Sequence, residues 1–172
     1  KYEYFPRFDW PRVASPYLRF PVDAAETARV MLAEQASLDA IKAAFRERKD
    51  DIACIILEPI QAEGGDHHFR PEFLRALRDV APENDALLVF DEVQTGMGIT
   101  GRMWAHMHWD VQPALLAFGK NTQVCGMLGA TKLDYEPDNV FPTKRRGTST
   151  CGATLVAMLR CPRALETRAE DP

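Results

Sequence analysis

At 172 residues the chain is long enough for one domain with a packed core, and its 46% hydrophobic and 27% charged residues give the balance of a soluble globular protein. A formal net charge of −4 argues against broad electrostatic binding to nucleic acid. No apolar stretch is long enough to span a bilayer and no signal peptide is read, so a cytoplasmic protein with neither a membrane nor a nucleic-acid partner is expected.

Residues 1–22 are rich in proline and aromatics (Pro6, Trp10, Pro11, Pro16, Pro21) and read as an irregular entry segment. The opening Lys1-Tyr-Glu-Tyr-Phe, without an initiator methionine, reads as part of something longer. Asp23 followed by Glu26 resembles a capping box. Met31, Leu32, Leu38, Ile41 and Phe45 then recur at roughly helical spacing, as one long helix or two broken near Ser37. The apolar run Ile52–Leu57 predicts a strand ending at Glu58, and Gly64 and Gly65 mark the turn that follows. Pro71 suits the first turn of a helix whose apolar face is Phe73, Leu74, Leu77, Val80 and Ala81, with Pro82 as its stop. A second strand, Ala86–Phe90, ends at Asp91. Gly96, Gly98 and Gly101 then make a loop before Trp104–Trp109, and a third strand, Ala114–Phe118, runs through Gly119 to Lys120. Strand alternating with helix predicts an α/β fold of parallel βαβ units, its strands buried on both faces.

The four cysteines (Cys54, Cys125, Cys151, Cys161) show neither a CxxC pair nor zinc-like spacing, so reduced thiols are expected, with Cys54 a small hydrophobe inside a strand. The basic run Lys144-Arg145-Arg146 reads as a solvated loop.

Three strands therefore end on charge: Glu58, Asp91 and, one glycine later, Lys120. Ligands of open α/β sheets bind beyond the carboxyl ends of the strands. Asp91 and Lys120 are thus expected on adjacent parallel strands, facing one crevice. A lone lysine after a strand is usually a solvated surface residue, and a salt-bridged pair without any cofactor is the bland alternative. Yet a desolvated lysine attacks carbonyls, and a carboxylate facing a pyridine nitrogen keeps it protonated. Together these are what pyridoxal phosphate chemistry requires.

The segment from Ile52 to Thr150 resembles the large domain of class III, fold type I aminotransferases. The likeness is carried by LEPIQAEGGD (Leu57–Asp66), VFDEVQTGMGITG (Val89–Gly101) and FGKNTQVCG (Phe118–Gly126). HHFRPEF (His67–Phe73) and the KNTQVCG form are most similar to the lysine 6-aminotransferase branch, with the 4-aminobutyrate branch next. The resemblance implies an incomplete parallel-sheet cofactor domain over residues 23–160, preceded by the entry segment 1–22 and followed by a diverged or truncated tail, 161–172. It implies pyridoxal 5′-phosphate as cofactor, held by Lys120 as the internal aldimine. Asp91 would pair with the pyridinium nitrogen, Val93 would pack on the ring, and Gln94 would bond near the ring hydroxyl. Glu63 matches the substrate-site glutamate that swings away to admit the second substrate, and Thr150 the threonine that reaches a neighbouring subunit's cofactor phosphate. A homodimer acting on an amino-acid donor and a 2-oxo acid acceptor follows from the same likeness.

Glu58 matches a family position as a supporting carboxylate. His106 and His108, near two tryptophans, read as ordinary packing with no metal site. Ala62 and Cys151 depart mildly from the family pattern, and Pro162 would kink or end the downstream helix. The family's phosphate-binding turn, stacking aromatic and carboxylate-binding arginine have no counterpart in these residues. The implied reaction is transfer of a terminal amine, that of lysine, to a 2-oxo acid such as 2-oxoglutarate. The alternatives are a 4-aminobutyrate or ornithine aminotransferase, or a truncated relic without activity, and the isolated chain is expected to be inactive.

Overall fold

A computed structural model describes residues 6, 8–122, 124–131, 133, 159–160, 162–164 and 166–167. In chain order the described elements are α1 (Ala24–Glu47), β1 (Cys54–Leu57), a hairpin of β2 (Ile60–Gln61) and β3 (His67–His68), α2 (Pro71–Glu83), β4 (Leu87–Asp91), β5 (Leu115–Phe118) and β6 (Gly126–Gly129). Short 3₁₀ turns occupy Ala105–His108 and Lys120–Thr122. The main sheet has the order β1-β4-β5-β6.

The helix α1 is one continuous element, which decides between the two readings of its sequence. Asp23 caps it, accepting a hydrogen bond from Glu26 N at 2.8 Å. Glu26 does not reach back to close a full capping box. Its carboxylate instead takes Arg19 N at 2.7 Å and the Arg29 guanidinium, whose hydrogen bond draws its pKa down to about 2. Ser37 does not break the helix: it is buried and donates its hydroxyl to Ala14 O at 2.6 Å. The inward stripe is Val30, Glu34, Ser37, Ile41 and Phe45, at helical spacing. Met31 and Leu32, expected inside, lie outward, Leu32 being 75% exposed.

In α2, Pro71 occupies the first turn, where its missing N–H costs nothing, and Phe73, Leu74, Leu77, Val80 and Ala81 are all buried, as the sequence predicts. Pro82 lies within the last turn, so the helix ends one residue later, where Asn84 Nδ2 caps Val80 O at 2.9 Å. These side chains pack on Leu88 and Phe90 of β4 and on Ile41 and Phe45 of α1. Phe90 and Leu74 are both fully excluded from solvent. Burying each contributes about 2 kcal/mol. A second cluster, Met97, Trp104 and Leu116, extends the core across the next part of the sheet.

The three strands expected to be parallel are so, one strand is added to them, and one expectation about burial is corrected. The pairings β1–β4 and β4–β5 are parallel, but β6 is antiparallel to β5, so the sheet is mixed. Only seven residues separate Phe118 from Gly126 in numbering, too few for the crossover that parallel pairing needs, and the chain doubles back instead. Gly126 permits it: a Cβ there would lie 2.4 Å from the Phe118 ring. Nor is every strand buried on both faces. Ile55 and Leu57 join the helix-covered core, while Ile56 points the other way and is 64% exposed.

In the tail, residues 159–160 and Pro162, Arg163 and Ala164 are helical, so helical backbone occurs on both sides of the proline.

Candidate active site

The register places the charged strand ends side by side. Leu57 is opposite Phe90, which sets Glu58 next to Asp91, and Asp91 is opposite Ala117, three residues before Lys120. Alternation along the strand puts the Phe90 ring into the helix-covered core and sends Asp91 to the other face. Asp91 and Lys120 thus lie at the carboxyl ends of adjacent parallel strands, as expected. Lys120 itself is in the 3₁₀ turn beyond β5 with φ of 49°, a left-handed backbone that a lysine adopts at a cost.

Asp91 Oδ1 accepts the Val93 N–H at 3.0 Å, which ties the carboxylate to the peptide that follows it. Lys120 Nζ donates to Gln94 Oε1. Val93 lies close against the backbone just before Lys120, because position 119 is glycine: a Cβ there would lie 3.4 Å from Val93 Cγ1 and 2.9 Å from Cys125 Sγ. Asp91, Val93, Gln94 and Lys120 are therefore one constellation. Glu58 faces it as well. Burial pushes its carboxyl up, the Asp91 charge adds to this, and the Ala62 N–H and the Lys120 charge oppose it, while Glu63 acts from the hairpin tip.

Glu63 sits exposed in the turn between β2 and β3. What holds that hairpin was missed at the level of sequence. Tyr17 stacks on His67, ring centroids 3.6 Å apart and planes nearly parallel, and Gln61 Oε1 lies 3.2 Å from both His67 Nδ1 and Ser15 Oγ. Leu18 N donates to His68 O at 2.8 Å. The entry segment is thus a brace for the turn that carries Glu63.

Glu92 was also missed, although it stands between Asp91 and Val93. Its carboxylate is 1% exposed and accepts from Ala105 N at 2.6 Å, His106 N at 3.0 Å and His106 Nδ1 at 2.9 Å. His106 is therefore a hydrogen-bond partner of Glu92, more than packing; His108 Nε2 is 2.9 Å from Thr100 O. Cys54 is partly buried with its thiol pKa pushed up by that burial, the behaviour of a small hydrophobe. Thr150, Cys151 and Cys161 lie outside the described residues.

Residues 7–171 match the family described as aminotransferase class III. The chain is 51% identical over 162 residues to an L-lysine-epsilon aminotransferase of Mycobacterium tuberculosis, covering 94% of this chain and 35% of that protein. A 4-aminobutyrate aminotransferase of Emericella nidulans is 42% identical over 125 residues, 70% of this chain and 24% of the relative. Among solved structures, the lysine aminotransferase from M. tuberculosis in the internal aldimine form superposes with a TM-score of 0.89 at 48% identity, covering 98% of this chain and 38% of the other. The chain thus spans about a third of the length of the lysine-epsilon relatives it matches. With its α/β sheet, its strand-end aspartate and lysine and a family match over nearly its whole length, this chain belongs to the class III aminotransferases, enzymes that work with pyridoxal 5′-phosphate.

Proposed function

We propose that this chain supplies the lysine-and-aspartate part of an aminotransferase site that moves the terminal amine of lysine to a 2-oxo acid such as 2-oxoglutarate. The observation that carries this reading is the constellation of Asp91, Val93, Gln94 and Lys120 at the ends of two adjacent parallel strands. The donor set fits pyridoxal phosphate: an anchored carboxylate, an amine beside an amide oxygen, and an aliphatic wall held close by a glycine. When bound, that cofactor supplies an aldehyde and an electron-withdrawing ring. Asp91 would keep a proton on the ring nitrogen, Val93 would pack on the ring face and Gln94 would bond at the ring hydroxyl. Lys120 Nζ would hold the cofactor and, once freed, take the proton from the donor carbon that bears the amine. Glu63, on its braced turn, would screen the substrate carboxylate site, and Thr150 would reach the phosphate across a homodimer interface.

The identity of 51% to lysine-epsilon aminotransferases, against 42% over a shorter stretch to the 4-aminobutyrate enzyme, supports lysine as donor. A cytoplasmic homodimer is part of the same proposal; among the described residues no helix is long and apolar enough to cross a membrane. The test is a donor comparison in the polypeptide that carries this segment at the full length of its relatives. Lysine should be transferred to 2-oxoglutarate faster than 4-aminobutyrate or ornithine, and Lys120→Ala should abolish transfer. Preference for another donor overturns the substrate assignment, and turnover that survives Lys120→Ala overturns the site.

A further inference from the structure

Glu92 holds a position with no evident chemical use, since it is sealed from solvent behind the strand end, yet it is the most heavily bonded carboxylate described in this region. Its Oε2 accepts from Ala105 N at 2.6 Å and lies 3.4 Å from Thr95 Oγ1. Its Oε1 accepts from His106 N at 3.0 Å and from His106 Nδ1 at 2.9 Å. Facing a carboxylate oxygen, Nδ1 is the protonated ring nitrogen. The backbone of Glu92 is fixed as firmly: its N–H donates to Ala117 O of β5, and its carbonyl accepts from Gly96 N, both at 2.9 Å. Gly96 in turn lies against Trp104, where a Cβ would meet the indole at 2.6 Å.

Donors thus converge on both oxygens of one carboxylate. A glutamine accepts through one oxygen only, and its amide nitrogen would face a backbone N–H. The need is for a buried anion, and such a group is expensive unless every lone pair is used. What it fastens is the 3₁₀ turn Ala105–His108, drawn against the end of β4 from behind. What it steadies is the peptide from Asp91 to Gln94, whose three other side chains form the constellation beside Lys120.

We propose that Glu92 and His106 are a positioning pair that sets the direction of Asp91, Val93 and Gln94 toward the cofactor, an inference that rests on the aminotransferase reading above. Neither residue touches the cofactor. They act through the strand end, so their loss is felt as a misaligned ring partner.

The test uses the polypeptide that carries this segment at the full length of its relatives, loaded with pyridoxal 5′-phosphate, and its variants Glu92→Gln, His106→Leu and His106→Asn. Asparagine places an N–H near the position of Nδ1, whereas leucine places none. Three readouts apply: the dissociation constant for pyridoxal 5′-phosphate, the absorbance maximum of the bound cofactor at fixed pH, and the melting temperature without cofactor. Glu92→Gln and His106→Leu should weaken cofactor binding by about ten- to a hundredfold, the usual cost of a hydrogen bond to a charged group, and should displace the absorbance band. His106→Asn should restore affinity to within about threefold and return the band, since the regained bond is neutral to charged like the original. A purely architectural pair would lower the melting temperature of Glu92→Gln and His106→Leu while leaving affinity and band unchanged, and that result overturns the inference. If Glu92→Gln does not fold, the two His106 variants decide alone: equal affinity and equal spectra in both overturn it. Absence of any borohydride-reducible attachment at Lys120 in the unaltered protein overturns the aminotransferase reading and this inference together. Attachment in the unaltered protein with normal binding in all three variants removes only the positioning role.

Discussion

Asp91 is fastened before any ligand arrives, because Val93 N–H occupies Oδ1 at 3.0 Å and, among the described residues, leaves Oδ2 for an outside partner. An asparagine keeps the Val93 bond through its amide oxygen but cannot hold a proton on a ring nitrogen. Asp91→Asn is therefore expected to retain attachment at Lys120 while lowering turnover by about 10²- to 10³-fold, the range seen when one preorganised electrostatic partner is removed. Borohydride trapping followed by peptide mapping reads the first, and steady-state transfer from lysine reads the second. Unchanged turnover would remove Asp91 from its role. At this scale the sequence was legible where chemistry and strand periodicity coincide, as at Asp91 and Lys120. Glu92 was not, because its partners lie thirteen and fourteen residues away in a turn with no periodic signal. Nothing in an Asp-Glu pair tells which carboxylate turns inward. Only the alternation of a placed strand decides that.

The helices and strands show where pattern was enough and where packing overruled it. The apolar face of α2 was correct at all five positions because it faces the sheet directly. The stripe of α1 was misread because two of its inward residues are polar, Glu34 and Ser37, and both are explained by neighbours distant in sequence. Glu34 approaches Arg70 only to 3.6 Å, and Arg70 prefers Glu72 at 3.1 Å, so Glu34 Oε1 has no hydrogen-bond partner. Burial pushes its carboxyl up, with Arg70 opposing and Glu72 reinforcing the rise. A carboxyl raised on folding binds its proton more tightly in the folded state. Its contribution is therefore favourable below the unfolded value and is lost as pH rises through the raised folded one. Glu34→Gln should accordingly melt higher than the unaltered protein at pH 7 and about equal to it at pH 4. Thermal denaturation at the two pH values measures the difference; a variant that melts lower at pH 7 would show that the Arg70 contact outweighs the cost of burial. The antiparallel β6 was missed for a different reason. Gly126-Met-Leu-Gly129 is too short and glycine-bounded to signal a strand, and its pairing exists only because β5 offers a free edge.

Taken whole, the molecule covers one sheet face far better than the other. The helices and the Trp104 cluster close the face of Ile55, Leu57, Leu88, Phe90 and Leu116. On the opposite face Ile56 is 64% exposed, and Met127, placed on that face by its pairing with Ala117, is also open to solvent. Among the described residues β1 pairs only with β4, which leaves its outer edge with unpaired backbone groups. Exposed apolar residues beside an open strand edge drive self-association. The proposed site is equally one-sided: Asp91 and Lys120 stand at the ends of adjacent strands, whereas the resemblance assigns phosphate binding and substrate-carboxylate binding to segments with no counterpart among these residues. The 172-residue chain produced alone is therefore expected to self-associate, to bind pyridoxal 5′-phosphate weakly and to give no measurable transfer from lysine to 2-oxoglutarate. Light scattering and the transfer assay measure these directly. Ile56→Thr, which keeps β-branching while adding a hydroxyl on the exposed face, should reduce the scattering without restoring transfer. Robust, Lys120-dependent turnover by the isolated chain would mean that the strand-end constellation alone is a sufficient catalyst, and the division of labour between these residues and the rest of the family's length would have to be redrawn.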